Sequence, residues 1–128
     1  MTAARQATGR RGEDLVASAL EHRGAVLIAR NARAPEVRGE IDLIAFERGE
    51  LVFVEVKTRH AANRSGPERP ALAVGTAKQR KLRSLALAWL GANRAAVPQH
   101  SRLRFDVVGI VLGADDKPVE WDWLEAAF

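Results

Sequence analysis

Gly39 to Arg59, GEIDLIAFERGELVFVEVKTR, decides the fold. Two apolar, β-branched runs, Ile41–Phe46 and Leu51–Val56, flank a charged turn centred on Arg48-Gly49. That is the pattern of a β-hairpin in which glycine supplies a positive φ. Arg-Gly is a weaker turn pair than Asn-Gly and leaves the turn type open. A loop of even length centred there sets Glu47 opposite Glu50, Phe46 opposite Leu51 and Ile44 opposite Phe53. Counting on, Asp42 meets Glu55 and Glu40 meets Lys57. Opposed residues share a sheet face with Cβ atoms roughly 4.5–5.5 Å apart. Two carboxylates placed against each other in apolar strands are destabilising. A divalent cation between Asp42 and Glu55 would account for the arrangement, because hard cations such as Mg²⁺ take oxygen ligands. The plainer alternative is a solvated Glu-x-Lys face, with Glu40 and Lys57 forming an ordinary cross-strand ion pair.

At 128 residues the chain is long enough for one domain with a core and too short for two. The formal net charge of +4 favours an anionic partner. Sixteen of the twenty basic residues are arginine, which suits bidentate phosphate contacts; a GC-rich genome would leave the same bias. With no cysteine and three scattered histidines, His22, His60 and His100, neither disulfides nor a zinc site is available. Any metal would be held by oxygen. No apolar leader or membrane-length run is present, so a cytoplasmic protein without a membrane partner is expected.

Around the hairpin the chain reads as mixed α/β. Residues 1–8 form a loose basic lead-in. A helix is predicted from Gly9 to about Arg23, closed by Gly24, with Glu13, Val16, Ala17 and Leu20 on one face. Glu13 then heads the stripe facing the sheet, although an acidic first-turn residue is also an ordinary dipole partner. Ala25–Ala32 is a first strand. The stretch 60–75 carries two prolines and two glycines and reads as a flexible loop, either a substrate flap or a surface excursion. A second helix is predicted over Thr76–Ala92, with Thr76 as N-cap, an apolar stripe through Leu82, Leu85, Ala86, Trp89 and Leu90, and Gln79 turned toward the sheet. Its basic first turns oppose the macrodipole unless an anion sits there. Arg102–Leu112 is the most apolar strand, reached by a crossover long enough for parallel pairing with the second hairpin strand. Val119–Trp123 closes the chain.

Asp42 followed by Glu55-Val56-Lys57 resembles the signature of the PD-(D/E)xK nuclease superfamily, of restriction-endonuclease-like fold. GRRGEDLVASAL, GEIDLIA, LVFVEVKTR and RFDVVGI together resemble the YraN family, small bacterial proteins similar to archaeal Holliday junction resolvases. The likeness runs from Gly9 to Phe128, with one departure: Ile41, not proline, precedes Asp42. It implies a mixed sheet with a central hairpin flanked by two main helices, and a Mg²⁺- or Mn²⁺-dependent endonuclease. Asp42, Glu55, the Val56 carbonyl and Glu13 would be the metal ligands. Lys57 would orient and activate the attacking water, and Gln79 matches a polar residue that resolvases carry on the second helix. Arg10, Arg11, Arg59, Lys78, Arg80 and Lys81 flank this site and would hold nucleic acid, with DNA the expected partner. Resolvases act as dimers, so a homodimer is one of two open states. The competing expectation is a non-catalytic nucleic-acid-binding or scaffold protein that retains the nuclease fold.

Overall fold

The computed structural model describes residues 3–62 and 74–128. The expected loop therefore lies outside the described residues over 63–73. Five strands form one mixed sheet in the order β1 (Val26–Ala34), β2 (Val37–Glu47), β3 (Glu50–His60), β4 (Arg102–Leu112), β5 (Pro118–Leu124). β3 and β4 pair in parallel and every other neighbour is antiparallel. Helices α1 (Ala3–His22) and α2 (Thr76–Asn93) cover opposite faces. This α/β arrangement is that of a restriction-endonuclease-like fold. No helix among the described residues is long and apolar enough to cross a membrane.

The hairpin turns through Arg48 and Gly49, both at positive φ (52° and 77°). That is the signature of a type I′ turn, whose twist matches the strands it joins. The register then follows the even count: Glu47↔Glu50, Phe46↔Leu51, Ile44↔Phe53, Leu43↔Val54. There the β2–β3 ladder ends. Beyond it β2 stays with β1, through Ile41↔Ala32, and β3 stays with β4, through Glu55↔Val107 to His60↔Leu112. The centre of the sheet forks, and Asp42 and Glu55 stand at the mouth of the fork instead of closing one more rung.

α1 starts at Ala3, six residues before the expected Gly9, so residues 3–8 are helical. It buries Gly12, Val16, Ala17 and Leu20 against Leu43, Ala45, Val52, Val54, Val108 and Ile110. Its end is closed by the bond from Ala25 N to Leu20 O (2.9 Å) around Gly24 at φ 92°, the αL stop that glycine allows. A Cβ on Gly12 would fall 1.8 Å from Thr58 Oγ1. Only a glycine lets the helix cross β3 this closely, and that crossing brings Glu13 to the fork.

α2 packs Leu85, Ala86, Trp89 and Leu90 on Ile44, Leu51 and Phe53. Phe53 meets Trp89 edge-on at 6.3 Å and stacks on Phe105 at 5.4 Å, and Phe105 stacks on Phe128 at 5.1 Å. Each such contact adds about 0.5–1.5 kcal/mol beyond area burial. The N-cap is Gly75, without a side-chain bond, and not Thr76. Thr76 is already the first helical residue, so its hydroxyl is not used as the cap.

Candidate functional site

Where the ladder stops, the Val56 N–H would be left without a strand partner across the fork, and a buried amide without one is costly. Asp42 takes it: the N–H donates to Asp42 Oδ2 at 2.8 Å. Beside it Glu55 is 7% exposed and alternates onto the α2 face with Phe53. Burial, then the charge and hydrogen bond of Glu55, push the Asp42 carboxyl up to about 7, although Val56 N–H and Lys57 pull the other way. Glu55 Oε2 is buried and makes no hydrogen bond among the described residues. Lys78 Nζ, on the first turn of α2, stands 3.6 Å from it, an ion pair outside hydrogen-bonding reach.

Glu13 approaches from the other side. Its carboxyl is raised by burial and by the charges of Asp42 and Glu40, against the hydrogen bond of Asn31 and the charge of Arg30. Asn31, at φ 48° on β1, donates from Nδ2 to Glu13 Oε1 at 3.1 Å. The sequence reading missed Asn31; a lone asparagine inside a strand, a residue type that tolerates positive φ, was its one local sign. The charge of Asp42 acts on Glu13, but among the described residues no three acidic or histidine side chains gather into a ready cation cage.

Other expected residues are placed differently. The bond from Gln79 Nε2 goes to Val74 O (3.2 Å), so its amide ties down the entry to α2 and is not brought to the carboxylates. Glu40 pairs with Arg33 Nη2 at 2.6 Å and not with Lys57. The simple cross-strand pair fails because the fork separates β2 from β3 before that rung. Lys57 is half-buried and acts electrostatically on Asp42. Arg11 Nε donates to Asp116 O at 3.2 Å. Arg10, Arg80 and Lys81 are exposed, and Arg59 is half-buried at the end of β3.

The donor set is consistent with a hard divalent cation. Two desolvated carboxylates side by side, one with an orphaned oxygen, leave the charge and hydrogen-bonding deficit that such an ion would relieve.

A five-stranded mixed α/β sheet with a helix on each face defines a class by its fold: restriction-endonuclease-like proteins. The chain belongs to the YraN family, whose model, described as Uncharacterised protein family UPF0102, matches residues 12–110. It is 47% identical over 112 residues to a UPF0102 protein of Rhodococcus opacus (strain B4), covering 88% of each chain. A UPF0102 protein of Solibacter usitatus (strain Ellin6076) is 39% identical over 120 residues, covering 94% of this chain and 84% of that one. One from Dictyoglomus thermophilum is 33% identical over 120 residues, 94% and 95% covered.

Proposed function

We propose that the protein is a divalent-cation-dependent nuclease that hydrolyses phosphodiester bonds, with branched or otherwise structured DNA as its substrate class. The observation that carries this is the Asp42/Glu55 pair, buried together at the fork with no hydrogen bond to Glu55 Oε2 among the described residues. A chain selected only for stability would have given Glu55 Oε2 a hydrogen bond or removed the carboxylate.

Asp42 and Glu55, with the Val56 carbonyl, would hold Mg²⁺ or Mn²⁺. When bound, the ion supplies positive charge at the scissile phosphate and acidifies a water. Asp42 is held in place by its bond from Val56 N–H. Lys57, on the same strand, offers an ammonium to the charge developing on the phosphate, a preorganised donor of the kind that dominates such catalysis. Glu13, steadied by Asn31, adds negative charge felt by Asp42 without completing a cage among the described residues. Lys78, Arg80 and Lys81 at the start of α2 supply backbone contacts without reading sequence.

A nucleic-acid-binding protein without turnover is favoured by one observation, the lack of a three-carboxylate cage among the described residues. Purified protein incubated with labelled linear and branched DNA, with Mg²⁺, Mn²⁺ or EDTA, decides between them. Cutting should require the cation and disappear in Asp42→Asn and Glu55→Gln, both of which should also lose Mn²⁺ affinity by calorimetry. Binding without cutting by the wild type, or cutting that survives both substitutions, overturns the assignment.

A further inference from the structure

At the tip of the β1–β2 hairpin lies an open cleft of about 560 Å³, lined by Arg33, Ala34, Glu36, Val37, Arg38 and Gly39. Its shape follows from the backbone. The β1–β2 register slips between Ala32 and Ala34, and Glu36 turns at φ 64°. Gly39 follows at φ 110°. A Cβ on Gly39 would meet Lys81 Cε and Leu85 Cδ1, each at 3.3 Å, with Lys81 Nζ at 3.9 Å. A lysine of α2 therefore lies directly over the inner wall of the cleft.

One pair of the charges there is spent on each other, and among the described residues the remaining cations are not. Arg33 is anchored to Glu40 by one Nη2 at 2.6 Å while its side chain stays 72% exposed. Arg38 is exposed, and neither it nor Lys81 forms an ion pair among the described residues. Three cations against Glu36 and Glu40 leave a net positive cleft. Asp42 lies three positions along β2 from Gly39, about 10 Å at roughly 3.3 Å per residue. No aromatic side chain lines the cleft, so it offers nothing on which a base could stack.

We infer that this cleft is a backbone-binding subsite, where Arg38, Arg33 and Lys81 hold the phosphodiester chain of a nucleic-acid strand running on from the Asp42/Glu55 fork. The inference rests on the nuclease reading for the direction of the strand, but concerns binding alone. It assigns the β1–β2 tip a role in gripping the substrate without base preference, since contacts to phosphate position a strand and carry no sequence information.

The test is the salt dependence of binding to a labelled DNA duplex, measured in the non-cutting Asp42→Asn background. Each phosphate contact removed lowers the slope of log K against log salt by about 0.9. Arg38→Ala and Lys81→Ala should each lose about that much, and the pair about twice it. Arg94→Ala, at the far end of α2, should leave the slope unchanged. All three substituted residues are exposed cations, and circular dichroism verifies that each variant folds. Unchanged slopes in Arg38→Ala and Lys81→Ala overturn the subsite, as does an equal loss in Arg94→Ala or a wild type that does not bind DNA. The two readings separate cleanly. Cutting that proceeds with unchanged slopes sinks the subsite and spares the nuclease. Slopes that fall as expected, in a protein that never cuts, do the reverse.

Discussion

The central hairpin carries two pairs of facing carboxylates, and they are treated in opposite ways. Near the turn, Glu47 and Glu50 oppose each other directly. Glu47 takes Arg23 Nε at 2.6 Å and Arg104 Nη2 at 2.7 Å, while Glu50 takes Arg104 Nη1 at 2.9 Å and pairs with Arg102. Arg104, 2% exposed, also bonds Asp106, which in turn accepts Trp123 Nε1 and Ala126 N, each at 3.0 Å. Arg23 lies over the Trp123 ring at 4.5 Å. Burial would raise Glu47, but the bonds from Arg23 and Arg104 outweigh it and hold its carboxyl at about 2. At the fork, Asp42 and Glu55 receive one amide bond and a lysine at 3.6 Å, and Asp42 rises to about 7. Like residues on one hairpin thus become a structural clamp at one end and an unsatisfied pair at the other. What separates them is whether distant strands and helices supply arginines.

The largest effect expected from breaking this contrast is at the clamp. Arg104→Ala leaves buried Asp106 without its cation and takes one partner each from Glu47, which keeps Arg23, and Glu50, which keeps Arg102; breaking a buried pair of this kind costs about 3–5 kcal/mol. Urea unfolding should register that loss. A change below about 1 kcal/mol would show that the clamp contributes no more than an exposed pair.

At the fork, the comparison sharpens in the opposite sense. Lys57→Met should leave stability within about 1 kcal/mol, because Lys57 makes no close ion pair among the described residues, while turnover falls on the order of 10²–10³. Melting, Mn²⁺ binding and cleavage are measured on one sample. A variant that cuts at the wild-type rate removes Lys57 from the chemistry.

The smallest and most diagnostic effect is the dependence of stability on pH, which has opposite signs at the two ends. Glu47 binds its proton more weakly in the native state than in the unfolded chain. Its stabilisation is therefore complete above about pH 4.5 and lost as pH falls toward about 2. Asp42 binds its proton more tightly when folded. Its contribution is present below about pH 4 and lost as pH rises through about 7. Unfolding free energies at pH 5 and pH 8 should show the wild type less stable at the higher pH, with Asp42→Asn flattening that difference and Mn²⁺ reducing it. A wild-type protein that gains stability between those values contradicts the desolvated pair.

Much of the framework was legible locally. The alternation of Ile41–Phe46 and Leu51–Val56 around Arg48-Gly49 predicted the hairpin and its register down to Ile44↔Phe53, because side chains two apart share a face and a two-residue turn admits one pairing. The stripe on Leu82–Leu90 and the apolar run Arg102–Leu112 placed α2 and the parallel β4 for the same reason. The start of α1 was missed because residues 3–8 carry no apolar stripe; helix continuity, not burial, extends it there.

By itself, then, the sequence determined the hairpin and the element order, set by neighbours a few residues apart, and the family, carried by motifs spread along the chain. Tertiary structure alone decided where the ladder forks, which gave Asp42 the Val56 amide and denied Glu40 its lysine. It alone also decided which carboxylates meet arginines: Arg104 reaches Glu47 across 57 positions of sequence, and Arg23 across 24. Local patterning shows that two like charges face each other, but the field that makes one pair permanent and leaves the other open to a ligand comes from residues that only folding brings near.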